Sequence, residues 1–439
     1  MNRFAASVFL HLEEASIEYC LLRGLDRPEM PEAKVEIDLL VRPDQLDRLR
    51  TALGQIGFVH LRVLGHAPHH FFVAYDERED TWLKLDVVTA LAYGRPYRTL
   101  QVALVEHCLA HRRCKARVFV PSPEYELITL LLHCLLDEAH FKPESRTRLA
   151  ELRGEIVDES RMARLLAQFV GPGLRWPEVA SAIESGDWKS LVLRRPQVVR
   201  ELRRQAPLRA VWLALSGRAL RRLNSIARPF RQRGFAVALL APDGGGKTTL
   251  ARELVRTFYL PSRYIYAGSS VDKRNIALPS TRWLQARKEG AGSKQGALSS
   301  ESWRLLRYGN GLLDRWYQSV IGSYYLLRGR LVIFDRYRYD SLLQSGQRSF
   351  PRRLRSWLIS RMSIPLNLVV YLDAPGEVLY QRKREHSVEF LERQRSGYLG
   401  LQGRIPDMVV VDATQDLGDV RRRVTSAIWA GYCSREWSE

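Results

Sequence analysis

The stretch "APDGGGKT", residues 241–248, holds the residue types that grip a polyphosphate. It follows the apolar run "FAVALL" and leads into "TLAREL", so a strand feeds a glycine turn that opens a helix. Gly244, Gly245 and Gly246 can turn backbone N–H groups onto phosphate oxygens. Lys247 can reach the β and γ phosphates, and the hydroxyl of Thr248, with Thr249 beside it, can serve a magnesium ion. The pattern G-x-x-x-x-G-K-[ST] has alanine at its first position here, which is tolerable wherever φ is negative. A second element lies in "RLVIFDRYRYD", where a strand ends at Asp335. A carboxylate there emerges at the carboxyl edge of a sheet and can hold magnesium or its water. Arg336 then either clamps an acceptor phosphate or simply pairs with an aspartate at a strand end.

Two further groups could do chemistry. Arg382, Lys383, Arg384, Arg393, Arg395 and Tyr398 form either a solvated cationic face or a lid over transferring phosphates. Near the N-terminus, "LLRGLDRPEMPEAKVEIDLLV" sets Glu36 and Asp38 two apart after Gly24, and strand alternation puts both carboxylates on one face. Asp86 in "WLKLDVV" is a candidate third acid on a neighbouring strand. Three such carboxylates can hold two magnesium ions for in-line nucleotidyl transfer; the plain alternative is the polar face of a half-exposed strand. His66, His69 and His70, with no acid or cysteine at ligand spacing, read as loop histidines.

The elements that must carry these groups differ along the chain. Residues 1–120 alternate short strands and helices, a small α/β domain; 121–193 turn helical from Ser122 as N-cap with Pro123 in the first turn. Residues 194–233 hold twelve arginines against one acid, Glu201. From 234 to 439 the apolar runs "FAVALL", "YIYAG", "RLVIFD", "NLVVYLD" and "MVVVDA" alternate with helical segments, the pattern of a doubly wound parallel sheet. The Gly/Ser patch at 290–300 reads as a loop. With 46% hydrophobic residues, 439 residues suffice for two or three cores; the five scattered cysteines suggest reduced thiols and no structural zinc.

In order and content, the P-loop with its internal Asp243, "DRY" at a strand end, the arginines after "YLDAP", "FLERQRSGY" and the closing "VVVDAT" resemble the thymidylate kinase family, over residues 234–439. The resemblance implies an ATP- and Mg2+-dependent phosphotransferase. Lys247 and Thr248 would meet the ATP phosphates and magnesium, Asp243 the acceptor's sugar hydroxyl, and Arg336 its phosphate. Arg382 and Arg384 would belong to a lid, Ala413 and Thr414 would lie by the adenine, and Arg315 would be a second acceptor arginine. Where the family carries an Arg-Glu-Pro-Gly-Gly loop this chain reads "YIYAGSSVDKR", which leaves the acceptor open between dTMP and another small molecule. The first 120 residues resemble the nucleotidyltransferase superfamily, with Gly24-Leu25 at its turn and Glu36 as the first acid.

The arginine stretch reads as a basic amphipathic helix ending near Pro229, with apolar residues every three or four positions. It is a packed connector with a solvated face, a helix on an anionic membrane, or a surface for phosphate-bearing molecules; nothing matches a base-reading module, so nucleic acid is not expected. No signal peptide or spanning run is evident, which points to the cytosol, at a membrane surface if the helix lies on one. Three functions compete: a nucleotide kinase, a nucleotidyltransferase with a regulatory P-loop half, and a membrane-surface NTP-binding scaffold. Oligomeric state has no signature in the sequence.

Overall fold

The computed structural model describes residues 3–23, 34–63, 66–95, 97–231, 234–268, 275–283, 300–337, 339, 357–358 and 361–437. The chain divides into two units, Met1–Ala227 and Arg228–Glu439. Gly24, the 290–299 part of the Gly/Ser patch and residues 269–274 of the divergent loop lie outside the described residues.

In the first unit β1 (Tyr19–Arg23), β2 (Lys34–Val41), β3 (Val59–Leu61), β4 (His69–Asp76) and β5 (Thr81–Val88) form one sheet in the order β1-β2-β5-β4-β3. Only the β2–β5 pairing is parallel. Alternation decides what each face does. Ile37, Leu39, Val41, Leu83, Leu85 and Val87 share a core with the helices Arg3–Glu14 and Leu46–Gln55. Glu36, Asp38, Lys84 and Asp86 occupy the intervening positions and so take the other face. Two hairpins follow, β6 (Leu91–Tyr93) with β7 (Leu100–Val102), and β8 (Arg113–Lys115) with β9 (Val118–Val120).

The helix Pro123–Leu132 opens the helical part where Ser122 and Pro123 suggest, although the Ser122 hydroxyl donates to Glu124 Oε2 at 2.6 Å instead of capping a backbone N–H. It runs on into one π-helical stretch, His133–Glu138. Leu127, Leu131, Leu149, Leu166, Val179 and Val198 are among the residues of a second buried core. Each such side chain contributes about 1.5–3 kcal/mol by leaving water.

The helix Pro207–Arg231 passes Pro229 instead of stopping at it. A proline in the last turn forfeits one backbone hydrogen bond, which does not require the helix to end there. Its inner face rests on Tyr97: an atom at the Cβ position of Gly217 would come within 3.3 Å of that ring, and the Arg218 and Arg221 guanidiniums lie 5.6 and 5.3 Å from its centre. Leu208, Val211, Trp212 and Leu215 are exposed. No helix among the described residues is long and apolar enough to cross a membrane.

The second unit is built on five parallel strands, β10 (Phe235–Leu240), β11 (Ser262–Tyr266), β12 (Leu331–Asp335), β13 (Leu368–Asp373) and β14 (Met408–Asp412). Their order is β11-β12-β10-β13-β14, with every pairing parallel. Each of the five apolar runs read from the sequence supplies one strand. The central β10 is buried at every residue, as a strand covered on both faces must be. The parallel register sets Leu239 of β10 beside Asp335 of β12, so the loop after one strand and the acid ending the other meet at the same edge.

Candidate phosphate site and a second carboxylate cluster

The loop between β10 and the helix Lys247–Thr257 is shaped by its glycines. Gly244 has φ +90° and an added Cβ would come within 2.6 Å of the Leu379 carbonyl oxygen; Gly246 has φ +76° and forms the helix N-cap. Lys247 is buried, its ammonium donating to the carbonyls of Ala241 and Pro242 at 2.8 Å each. Thr248 Oγ1 donates to Asp335 Oδ2 at 2.5 Å, and the phenol of Tyr264 on β11 donates to the same oxygen at 3.0 Å. Burial, with the Asp335 charge nearby, pushes the Tyr264 phenol well above its ordinary range. Asp335 is fully buried, and its Oδ1 finds no hydrogen-bond partner among the described residues. A buried carboxylate oxygen left unpaired beside a threonine hydroxyl and a glycine cradle fits a divalent cation and a polyphosphate. Thr249 is exposed on the first turn of the helix.

Arg336 takes a left-handed backbone, φ +67°, immediately after β12, and its guanidinium pairs with Asp243 in the loop. His386 lies 3.6 Å from the other oxygen of Asp243. Burial would raise the Asp243 carboxyl, but Arg336, Lys247, Lys383 and His386 outweigh it and hold it below the ordinary carboxylate range. Asp243, Glu385 and His386 also bring ligand atoms within 4.8 Å of one another. The segment after β13 therefore reaches the loop through Lys383 and His386.

Arg384 is exposed, and Arg382 donates to the Ala413 carbonyl at 2.9 Å. Ala413 is buried, and Thr414 is tied through its N–H and hydroxyl to Asp412 Oδ1 at 2.9 and 2.6 Å. Arg395 makes a two-pronged pair with Asp373 at 2.8 and 2.9 Å, anchoring the helix Val388–Leu399 to β13. Arg315 is half-buried on the helix Ser300–Leu327, next to Asp314. Asp314 is fully buried and accepts from the Leu278 N–H at 2.8 Å.

The acids of the first unit also converge. Parallel pairing puts Asp38 opposite Asp86 and Glu36 opposite Lys84, and carboxylate oxygens of Glu36, Asp38 and Asp86 lie within 4.8 Å of one another. Each has a cationic or imidazole neighbour: Arg23 Nε 2.8 Å from Asp38, Lys84 Nζ 2.6 Å from Glu36, and His69 Nδ1 2.6 Å from Asp86. His69 and His70 are thus not loop histidines, since both lie in β4. His69 starts that strand and meets an acid seventeen residues away, a contact made by the β4–β5 pairing that no local spacing reveals. Tyr264 and His386 carry no local mark either; Tyr264 sits in an apolar strand run and His386 in a charge run.

A parallel sheet carrying a glycine loop, a buried lysine and a strand-end aspartate has the form of a phosphate-binding α/β site. Comparison with known proteins narrows the class. The probable thymidylate kinase of Thermococcus onnurineus is 27% identical over 197 residues, 42% of this chain and 93% of that protein. The thymidylate kinase of Pediococcus pentosaceus is 24% identical over 213 residues, 44% of this chain and 97% of that protein. A solved thymidylate kinase structure from Candida albicans matches over 44% of this chain and 89% of its own, at 19% identity and TM-score 0.32. No family model matches the chain. Thymidylate kinase homology thus extends over about 44% of the chain and supports a nucleotide kinase function for that part.

Proposed function

We propose that residues 234–439 transfer the γ-phosphate of ATP to a nucleoside monophosphate, dTMP or a related small acceptor. The observation that carries this is Asp335: a buried carboxylate, hydrogen-bonded through one oxygen to Thr248 and, among the described residues, unpartnered at the other, beside the glycine cradle. Magnesium held by Thr248 and Asp335 would neutralise phosphate charge as it develops. Lys247, now tied to loop carbonyls, would exchange them for phosphate oxygens and stabilise the group in flight. Asp243 and Arg336, paired with each other across the loop, are the acceptor side: Arg336 would take the acceptor's phosphate and Asp243 its hydroxyl. Arg382 would support the pocket through Ala413, with Thr414 beside it near the base, and Arg384 would be free to close over the phosphates. The reaction is expected in the cytosol, with ATP and Mg2+ as donor and cofactor.

The test supplies ATP labelled in parallel at the α or the γ phosphate, with magnesium, dTMP and a panel of nucleotides and sugars. Label arriving from the γ position, and lost in Lys247→Ala with the fold intact, is the expected result; transfer surviving that change refutes the reading.

A second reading attaches to Glu36, Asp38 and Asp86, whose convergence on one face of β2 and β5 suits a nucleotidyl transfer centre. It calls for α-phosphate label in the product, lost in Asp38→Ala.

A further inference from the structure

The first unit contains a small pocket, open to solvent at its mouth and lined by Arg23, His69, Tyr93, Arg98, His133 and Asp137 among others. Three local features converge on it. The π-helical stretch His133–Glu138 presents both His133 and Asp137 to the space, and such stretches recur at functional sites because the wider turn re-aims side chains. Arg98 holds a left-handed backbone, φ +51°, strained for a residue with a Cβ. Arginine side chains from the helix Pro207–Arg231 buttress that corner by stacking on Tyr97, the residue before it.

The charges in the cavity are unevenly satisfied. Asp137 accepts from the Gly94 N–H at 2.7 Å and engages His133 Nδ1 at 3.2 Å. Burial opposes its ionisation, yet those two bonds and the charges of His133 and Arg98 hold it below the ordinary range. Burial also depresses His133, against the pull of Asp137. Arg23 is engaged by Asp38 at 2.8 Å. Arg98 is different: it is half-buried, burial lowers its pKa, and among the described residues no carboxylate lies within 4.0 Å of it. A partly desolvated guanidinium without a contact ion pair is a planar fork of donors for an oxyanion. The His133–Asp137 pair lines the same pocket, with Glu138 3.7 Å from His133 Nε2, and suits hydroxyl groups, which both donate and accept.

We propose that this cavity is a binding site for a small phosphorylated, hydroxyl-bearing molecule, a sugar phosphate or a nucleotide, with Arg98 holding the phosphate and the His133–Asp137 pair holding hydroxyls. The site is separate from the glycine loop of the second unit and does not require transfer at the neighbouring carboxylates. It also gives the arginine helix a role, which is to hold the Tyr97–Arg98 corner in place.

The experiment is calorimetric titration of the full chain with ribose 5-phosphate, AMP and, as the uncharged counterpart, ribose. Arg98→Asn is the main variant, because asparagine tolerates a left-handed backbone; Arg98→Lys keeps the charge without the fork. Expected are binding of at least one phosphorylated probe, a loss of at least tenfold in Arg98→Asn at unchanged melting temperature, a smaller loss in Arg98→Lys, and no binding of ribose. Ribose 5-phosphate alone would mark a sugar-phosphate site, AMP alone a nucleotide site. The same titration in Lys247→Ala and in Arg336→Ala separates this site from the donor and acceptor sides of the glycine loop: affinity retained in both supports the cavity. Affinity lost in either of these but kept in Arg98→Asn overturns the proposal, as does failure of both phosphorylated probes to bind.

Discussion

Both carboxylate sites set acids on parallel strands, one acid ending β12 in the second unit and three on the paired β2 and β5 in the first, and leave them in opposite states. In the second unit Asp335 is buried among neutral donors, Thr248 and Tyr264, with one oxygen unpartnered among the described residues. In the first unit Glu36, Asp38 and Asp86 each have a cationic or imidazole neighbour supplied by the protein. An acid with no cation from the described residues against it leaves its charge open to a metal ion. An acid already paired gains less from a metal and loses more when its partner is removed. The contrast teaches that convergence of carboxylates is not enough to rank two sites; the charge already facing them matters as much.

Substitutions can break that contrast. The largest effect is expected for Asp335→Asn: asparagine keeps a hydrogen bond to Thr248 but loses the charge, so γ-phosphate transfer should fall about a hundredfold or more while thermal stability holds or rises. Turnover within threefold of the parent would remove Asp335 from the reaction. Asp38→Ala should do the reverse. It strands Arg23 on the cavity wall, and a loss of about 1–3 kcal/mol in unfolding free energy by denaturant titration is expected, with γ transfer unchanged. Unaltered stability would mean the pair is not formed as described.

A smaller effect concerns pH. Burial, with the charges of Arg50, His70 and Arg62, pushes His60 down to about 4, whereas an unfolded histidine titrates near ~6.5. Between those values the unfolded chain binds a proton that the folded ring refuses. His60 therefore lowers stability as pH falls through that window, and its contribution is fully present above it. His60→Phe, which can keep the stacking on Phe72, should lose less melting temperature between pH 7 and 5 than the parent; an identical loss would exclude His60 as a source.

How much of this was legible in the sequence follows from the range of the contacts involved. The strand, glycine loop and helix of the phosphate site are consecutive, so composition and spacing reveal them. Asp335 is readable because a strand's end is a local property, and Glu36 with Asp38 because alternation is. The pairing partners are not readable in this way. His69 with Asp86, Tyr264 with Asp335 and Arg336 with Asp243 join residues 17, 71 and 93 positions apart, set by strand register and order. The exposure of Trp212 and its neighbours depends on which helix face meets Tyr97, and periodicity alone gives the stripe without saying which way it looks.

The left-handed backbone of Arg336 has a bearing on how this chain can change over generations. Glycine would occupy that position unstrained, a relief of about 1 kcal/mol that offsets part of the cost of leaving Asp243 without its guanidinium, so Arg336→Gly is expected to lower the melting temperature only slightly while the KM for the acceptor rises. A lineage that no longer needed its acceptor would meet little resistance to that replacement. Arginine at 336 is thus a sensitive marker of continued use: among descendants of this chain, its loss should come before the decay of the sheet that carries it.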